Sequence, residues 1–392
     1  MSKELVIIYD TPSMTHTHII SIHNLTCYFN FFDKIRVLYW SKEENIPGIF
    51  GKEGGKFIFY PYFKPYNSGY ITGLKYMTWI GKTLWKICGK TSKETELIFM
   101  PVIPIWSGIP TLIVGRLKRK KVVLRLEAAK IDYLALEEKL ANRPKIFSFI
   151  KVSIIKLIYY LTLPFYDFII GLSEGITKEA KSYGAKKIET IPIPINITPF
   201  LSKEKVLRSE KPTILYVGQI KNTKGIDILI KAMRLFKNEE NLSPKLLIAG
   251  GITNPKDESF FREIKQLSNG LDVEFLGWIE YRSLPEIYNR ADIFVLPSYS
   301  EALGLVIMEA MASGLPVIAT KTSGAKELVE DGENGFLVPV KNPAAIKEKI
   351  KILLESPELR ESMGRAGRKR IEELMKIVDE NNKKLWNLLL KE

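Results

Sequence analysis

The fold is decided by the stretch from Ser298 to Thr320, which reads SYSEALGLVIMEAMASGLPVIAT. It follows the apolar run Ile293–Leu296, and it holds a helical pattern over Leu305–Ser313 and a second apolar run at Pro316–Ala319. Short apolar runs that alternate with helical segments predict parallel strands joined by helices. The stretch therefore predicts one β-α-β unit with a loop at the carboxyl end of its first strand.

The same alternation extends over the whole chain and predicts an α/β fold of two Rossmann-like, doubly wound domains that face a central cleft. Residues 1–200 are predicted to form the first domain and residues 201–370 the second, with the polar stretch 200–212 as the linker. Residues 371–392 are predicted to form a C-terminal helix that packs back on the first domain. Further strands are predicted at Leu5–Tyr9, Ile35–Tyr39, Leu97–Val102, Lys121–Leu126, Phe168–Leu172, Thr213–Val217, Lys245–Ala249 and Val273–Leu276.

Length and composition exclude several classes of protein. A chain of 392 residues is long for one core, and 46% hydrophobic with 26% charged residues is ordinary for a globular protein. Two cysteines exclude a disulfide scaffold and a four-thiolate zinc site. The uncharged stretch Leu97–Gly115 contains three prolines, so it predicts a strand, a turn and a helix start rather than a membrane span. The N-terminus has no signal-peptide pattern, and a cytoplasmic location is expected.

Positive charge is concentrated in the first half of the chain. Residues 1–200 hold 28 Lys and Arg against 16 Asp and Glu, whereas the remainder holds 30 against 28. Lys75, Trp79, Lys82 and Lys86 fall on one face of a predicted helix, and the segment 145–166 again mixes lysines with aromatic residues. Such faces are typical of proteins that lie on anionic membranes, here the cytoplasmic face. The alternative is an aromatic core with a solvated rim of lysines. The basic run 116–121 is interpreted as the cationic end of a helix, and no nucleic-acid partner is expected.

Two glutamates in the opening stretch are candidate ligand-binding groups. Glu301 is predicted in the loop before the helix, and Glu309 on the helix can reach back toward it because helical side chains lean toward the N-terminus. Gly304 leaves the helix start bare, so the amides of Leu305 and Val306 suit a phosphate oxygen. A carboxylate accepts two hydroxyl donors, which suits a vicinal diol such as a ribose. The alternatives are a carboxylate stabilised by the helix dipole and a solvated helix residue.

A second candidate site lies at Leu215–Ile230, LYVGQIKNTKGIDILI, where a strand ends at Gly218 and Lys224-Gly225 opens a helix. A lysine at a helix start after a glycine turn favours a bound phosphate. A third segment, 324–343, has glycine turns at the end of the next strand.

Taken together, these segments resemble the retaining glycosyltransferases of family 4, the group 1 transferases of GT-B architecture. The resemblance covers residues 211–356. It rests on the E-x7-E pair Glu301/Glu309, the G-x5-KG loop Gly218–Gly225, the GWIE motif at Gly277–Glu280 and EL-x3-GENGFLV at Glu327–Val338. In the first domain the resemblance is one of layout.

The resemblance implies a role for each matching residue. Glu301 would contact donor-sugar hydroxyls, Lys224 would neutralise the leaving diphosphate, and both are the predicted catalytic residues. Glu309 would hold the ribose, and the backbone at 277–279 would contact the nucleobase. Trp278 could lie against the base, or it could be buried core. The predicted donor-binding residues are Gly218, Gln219, Gly225, Gly277, Trp278, Ile279, Ala302, Leu303, Gly304, Leu305, Val306 and Glu309.

The chain also departs from the family pattern. The family usually has an arginine where this chain has Gln219, and a flexible lysine such as Lys221 does not replace a bidentate guanidinium. The family's glycine-rich loop after the first strand is absent, and so is a histidine after the strand 121–126. The predicted acceptor or cleft residues are Thr15, His16, His18, Arg125 and Glu127. His16 and His18 are two residues apart and would point to different sides of a helix, which argues against a shared metal.

The resulting prediction is a retaining hexosyltransferase. It would move a sugar from a nucleoside-diphosphate donor to a lipid-linked or glycan acceptor, without a cofactor or divalent metal. One alternative is a non-catalytic nucleotide-sugar-binding partner of another transferase. A glycoside hydrolase would also need two carboxylates, but it gives the Lys-Gly loop no purpose.

Overall fold

The strands of the protein form where apolar runs are buried, as in β1 (Lys3–Ile8), whose last five residues are all buried. The computed structural model describes residues 2–8, 31–41, 57–63, 70–92, 95–102, 107–126, 145–193, 195–201, 212–240, 244–253, 255–301 and 303–390. The chain divides into two units, and each has its own parallel sheet. The prediction of an α/β protein with two parallel-sheet domains is therefore confirmed.

Unit 1 comprises Met1–Lys139, Arg143–Ile193 and Glu380–Glu392. Its seven-stranded sheet has the order β3-β2-β1-β4-β5-β6-β7, and every neighbouring pair is parallel. The strands after β1 are β2 (Lys34–Ser41), β3 (Phe57–Phe63), β4 (Glu96–Pro101), β5 (Lys121–Leu126), β6 (Phe168–Gly171) and β7 (Ile188–Thr190).

The described helices of the main body of unit 1 are α1 (Tyr70–Lys90), α2 (Ile109–Lys118), α3 (Lys145–Thr162) and α4 (Glu174–Ser182). Their ends follow ordinary capping rules. Helix α2 begins at Ile109, and Pro110 lies in its first turn, where the missing amide donor costs nothing. Helix α4 begins after Ser173, whose hydroxyl accepts from the amide of Ile176 at 3.3 Å. No helix among the described residues is long and apolar enough to cross a bilayer.

Unit 2 comprises Leu140–Asn142 and Pro194–Asp379. Its six-stranded parallel sheet has the order β10-β9-β8-β11-β12-β13. The strands are β8 (Thr213–Val217), β9 (Lys245–Ala249), β10 (Val273–Gly277), β11 (Ile293–Leu296), β12 (Val317–Thr320) and β13 (Gly335–Val338). The helices are α5 (Ile226–Glu240), α6 (Glu258–Leu267), α7 (Leu284–Asn289), α8 (Leu305–Ala312), α9 (Ser323–Leu328), α10 (Pro343–Glu355) and α11 (Pro357–Leu389).

The end of helix α11 belongs to unit 1 rather than to unit 2, because residues from 380 onward group with the first sheet. The buried ring of Trp386 meets Phe32 edge to face, with the ring centroids 5.1 Å apart. The Lys121 ammonium donates to the carbonyl of Leu389. In the structure the units divide between residues 193 and 194 and again between 379 and 380, whereas the sequence analysis places these boundaries at 200/201 and 370/371.

Three strands were not predicted from the sequence: β3, the three-residue strand β7 and β13. β3 reads FIFYPYF, and its proline disfavours a central strand, but β3 lies at the edge of its sheet, where a missing amide donor is tolerated. β13 is only four residues long and lies in the glycine-rich segment that the sequence analysis interpreted as turns.

Candidate functional site

The candidate site lies in unit 2 at the point where the strand order reverses. The chain runs from β8 outward to β9 and β10, and then returns to the other side of β8 to form β11. In doubly wound sheets, ligands bind outside the carboxyl ends of the strands at such a switch point. Lys224 follows β8 and Glu301 follows β11, so neighbouring strands bring together two residues that are 77 positions apart.

Lys224 and Glu301 form an ion pair at this point. The Lys224 Nζ lies 2.5 Å from the Glu301 Oε1, and the hydroxyl of Ser298 donates to the same oxygen at 2.8 Å. The two side chains are 26% and 13% exposed. A partly buried ion pair needs extra hydrogen bonds to offset its desolvation, and Ser298 supplies one. Both charged residues were predicted from the sequence. Ser298, which lies two residues after the end of β11, was not.

A close approach of two backbones fixes the Lys224 loop. Gly225 has a φ of 65°, and a Cβ at this position would collide with the carbonyl of Pro297 at the end of β11. The amide of Tyr299 donates to the carbonyl of Thr223 at 2.9 Å. Glycine at this position therefore lets the loop after β8 lie directly against the loop that carries Glu301.

Tyr216, which the sequence analysis missed, holds the start of the same loop. Its side chain is fully buried, and its hydroxyl donates to the carbonyl of Gln219 at 2.8 Å. Burial, and to a lesser extent the charge of Glu301, raises the pKa of Tyr216 far above its usual range. The phenol therefore stays a neutral donor. Gly250 also lies against this turn, since a Cβ there would collide with the carbonyl of Gly218.

Glu309 is buried in helix α8, at 2% exposure. The hydroxyl of Tyr288 donates to its Oε2 at 2.8 Å. Burial raises the pKa of Glu309 to about 7, although the Tyr288 hydrogen bond opposes the shift. The interpretation of Glu309 as a solvated helix residue is therefore wrong. A proton at this carboxyl is exchanged near neutral pH, which is unusual for a glutamate.

The start of helix α8 has the bare geometry that the sequence predicts. Gly304 is the residue before the helix, with a φ of 75° in the left-handed region. Leu305 and Val306 form the first turn, where amides have no earlier carbonyl within the helix. Leu303 is buried beside them. The Tyr288 hydroxyl also contacts the carbonyl of Val306 at 3.3 Å, so one buried tyrosine connects Glu309 to the helix start.

Trp278 lies at the end of β10 and is 42% exposed, so it is not buried core. Its indole lies against Gly251, where a Cβ would fall 2.6 Å from the ring nitrogen. Gly277 has a φ of 68°, and its carbonyl accepts from the amide of Gly250 at 2.7 Å. Ile279 follows and is half-buried. These residues form a turn at the carboxyl edge of the sheet, and strands β9 and β8 lie between this turn and β11.

Other predicted residues are not placed in this site. Arg125 is buried in β5 of unit 1. Thr15, His16, His18, Glu127 and Ala302 lie outside the described residues. Among the residues that the structure describes, no three His, Cys, Asp or Glu side chains are grouped so that they could hold a metal ion.

A comparison with known protein families matches residues 198–370 to the glycosyl transferases group 1. The matched residues lie within unit 2. The match contains the whole site from Gly218 to Glu309. It confirms the resemblance to group 1 transferases, whereas family 4 and the retaining mechanism stay predictions.

Related group 1 sequences match over part of their length. The capsular polysaccharide biosynthesis glycosyltransferase CapM of Staphylococcus aureus is 34% identical over 227 residues, which are 57% of this chain and 55% of CapM. The sulfoquinovosyl transferase SQD2 of Arabidopsis thaliana is 34% identical over 169 residues, 42% of this chain and 30% of SQD2. The chain thus spans about half the length, or less, of these two relatives.

Solved structures have the same overall fold as this chain. Sucrose-phosphate synthase from Thermosynechococcus elongatus superposes with a TM-score of 0.78 at 20% identity, over 99% of both chains. Anabaena HepE in complex with UDP and glucose superposes with a TM-score of 0.72 at 16% identity, over 98% of this chain and 99% of HepE. At these identities the likeness shows the GT-B fold and no more.

Proposed function

We propose that the protein is a retaining glycosyltransferase that moves a sugar from a nucleoside-diphosphate donor to an acceptor hydroxyl. The observation that carries this proposal is the contact of Lys224 with Glu301 beside the bare start of helix α8. A cation and free amides favour a diphosphate, and a carboxylate favours sugar hydroxyls. The group 1 match supports the same reaction class. HepE, which has a similar fold, was solved in complex with UDP-glucose.

In this proposal the ion pair opens when the donor binds. Lys224 moves from Glu301 to the diphosphate, and the amides of Leu305 and Val306 bind a phosphate oxygen. Glu301 then accepts hydrogen bonds from the donor sugar. The buried carboxylate of Glu309 accepts from the ribose, and the turn at 277–279 contacts the base. No divalent metal is needed, because Lys224 and the helix start already supply positive charge where it develops.

The chemical step is a displacement on one face of the sugar. The bond from the anomeric carbon to the phosphate oxygen breaks, and the acceptor oxygen forms a bond to that carbon from the same side. The acceptor proton passes to the leaving phosphate oxygen. This route needs the acceptor to be positioned and the leaving diphosphate to be stabilised, but it needs no protein nucleophile. In this proposal Lys224 and the start of helix α8 stabilise the diphosphate.

The experiment begins with a thermal-shift screen of nucleoside diphosphates and nucleotide sugars, because a donor that binds the folded protein stabilises it by mass action. The stabilising donor is then supplied with candidate glycan and lipid acceptors, and the product anomer is read by NMR. Lys231→Met serves as the charge-matched control for Lys224→Met, since Lys231 is exposed and pairs with Asp227. A product of inverted configuration would refute retention, and the absence of stabilisation by every nucleotide would refute donor binding.

We further propose that the acceptor is a lipid-linked glycan and that the protein works at the cytoplasmic face of the membrane. Lys75, Lys82 and Lys86 are exposed on one side of helix α1, which contains no acidic residue. A cationic face of this kind attracts anionic headgroups within a Debye length.

One observation favours a second function. Gln219 occupies the position where the family usually has an arginine. The Tyr216 hydroxyl donates to the backbone carbonyl of Gln219 and not to its side chain. The second function is a non-catalytic nucleotide-sugar-binding partner of another transferase. Donor stabilisation without hydrolysis or transfer in any acceptor mixture would select it, and restoration of transfer by Gln219→Arg would identify the missing charge as the cause.

A further inference from the structure

Helices α1, α2 and α3 lie side by side on one face of the first sheet. Each of them leads to a strand further along the order β3-β2-β1-β4-β5-β6, and right-handed crossovers in one direction place their helices on the same face. Two contacts join the neighbours. The Lys118 ammonium of α2 lies 3.5 Å above the Trp85 ring of α1. The Arg116 guanidinium of α2 donates at 2.5 Å to the carbonyl of Phe165, in the short turn 163–165 that directly follows α3. We call these three helices the α1–α3 layer.

The outer side of helix α3 is apolar although it faces solvent. Its inner side is buried through Ile155 and Tyr159. Six large apolar side chains on the opposite side are 49–72% exposed, and at 100° per residue they cover an arc of about 140°. They are Phe149, Ile150, Ile154, Leu157, Tyr160 and Leu161. Contiguous exposed apolar surface of this kind marks an interaction site.

The α1–α3 layer carries only positive charge. Its three helices contain nine Lys and Arg and not one Asp or Glu. Helix α4, the next along the sheet, differs in that it contains Glu174 and Glu179. Helix α3 has three lysines within 18 residues, which is incompatible with a membrane span but compatible with a helix that lies in the surface.

An anionic bilayer matches this surface in both respects. It offers negative charge at the headgroups and an apolar layer directly beneath them. A second copy of the chain would bring cation against cation on the same face. An acidic soluble partner would match the lysines, but the six apolar side chains of α3 would then face charged groups of that partner.

We infer that the α1–α3 layer docks on anionic membranes, with the outer side of helix α3 inserted at the boundary between headgroups and acyl chains and the lysines of α1 at the headgroups. This deepens the proposed function, since it rests on the membrane-surface acceptor and names the element that penetrates. Binding then has two parts. Lysine attraction falls with salt, and the apolar insertion of α3 does not.

The test compares the whole chain with the triple variant Phe149→Ser, Leu157→Ser, Leu161→Ser. Ile377→Ser is the control, because Ile377 is also a large exposed apolar residue but belongs to helix α11. Vesicles contain phosphatidylcholine and phosphatidylglycerol, and binding is measured by flotation at low salt and at 0.5 M NaCl. The triple variant should lose at least tenfold in affinity at high salt, whereas the control binds as the wild type. Equal binding of the triple variant would overturn the insertion of α3.

A second measurement reports insertion directly and does not depend on the triple variant. Ser153 is exposed in the middle of the apolar arc. Ser153→Cys, in a chain with Cys27→Ser and Cys88→Ser, carries an environment-sensitive fluorophore. Its emission should shift to the blue on anionic vesicles and be quenched by brominated lipid. If the emission maximum of the bound protein stays at the wavelength found in water, the inference is overturned.

Failure of this inference is separable from failure of the proposed function. Stabilisation of the triple variant by the nucleotide that stabilises the wild type should be unchanged, because the donor residues lie in unit 2. A wild type that binds nucleotide and transfers sugar but ignores anionic vesicles would overturn the membrane inference alone. A stable dimer that the triple variant abolishes, without vesicle binding by either, would assign the surface to a second copy and overturn it as well.

Discussion

Replacement of Glu309 by glutamine should stabilise the protein at alkaline pH while it weakens donor binding. The native state holds a proton on Glu309 up to about pH 7, whereas the ordinary value of the carboxyl is 4.5. Between these two values the native state binds more protons than the unfolded state, so the free energy of unfolding falls as the pH rises. The shift corresponds to about 3 kcal/mol at pH 8.

Glutamine has nearly the same shape, keeps an oxygen for the Tyr288 hydroxyl and never ionises. The variant should therefore match the wild type closely near pH 4.5 and exceed it progressively up to pH 8. For a unit of this size, 3 kcal/mol corresponds to a rise in Tm of about 6–12 °C. Calorimetry of the whole chain between pH 5 and pH 8 measures the difference. Glu333→Gln removes the same charge from an exposed position and should show no comparable rise.

At pH 8, where Glu309 is ionised, the same variant should bind the donor roughly tenfold more weakly, because an amide has one acceptor oxygen where the carboxylate has two. A Glu309→Gln protein that is no more stable than the wild type at pH 8 would refute the buried, protonated carboxyl. Unchanged donor affinity would refute the ribose role instead.

Three further predictions concern the same site. Lys224→Ala should lower kcat by about 10²–10³-fold and change KM for the donor much less, because charge on the diphosphate grows in the transition state. The control Lys231→Ala should leave kcat unchanged, and equal kcat in both variants would refute the role of Lys224. Tyr288→Phe removes the hydrogen bond that opposes the raised pKa of Glu309. When donor affinity is measured as a function of pH, the pH at the midpoint of its change should therefore be higher than in the wild type. An equal or lower midpoint pH would contradict this role for Tyr288. Transfer should persist in EDTA, and a loss that Mg²⁺ or Mn²⁺ restores would refute the metal-free route.

The sequence was sufficient for most strands of both sheets, because buried parallel strands are short apolar runs between helices. The exceptions were local. Phe57–Phe63 contains a proline that only an edge strand tolerates. Ile188–Thr190 and Gly335–Val338 are too short to separate from the residues around them.

The charged residues of the site that lie near glycines could be predicted from the sequence. The buried polar side chains that hold them in place could not. Lys224 and Glu301 were found because their roles depend on residue type and spacing. Tyr216 and Tyr288 were missed, since a buried tyrosine in an apolar segment looks like core until its hydroxyl is located. A signal for the burial of Glu309 was present, because it is the one charged residue in the apolar helix LVIMEAMA.

The return of the chain to unit 1 has a consequence for its biosynthesis. Trp386 is synthesised only after the whole of unit 2, yet its ring belongs to the core beside Phe32. At ribosomal rates of about 5–20 residues per second, unit 1 waits roughly 10–40 s for the residue that completes it. During that time the apolar residues that Trp386 later covers, such as Phe32, are exposed to water and to other nascent chains. The first unit to be translated is therefore the last to be finished, and unit 2 can fold before it.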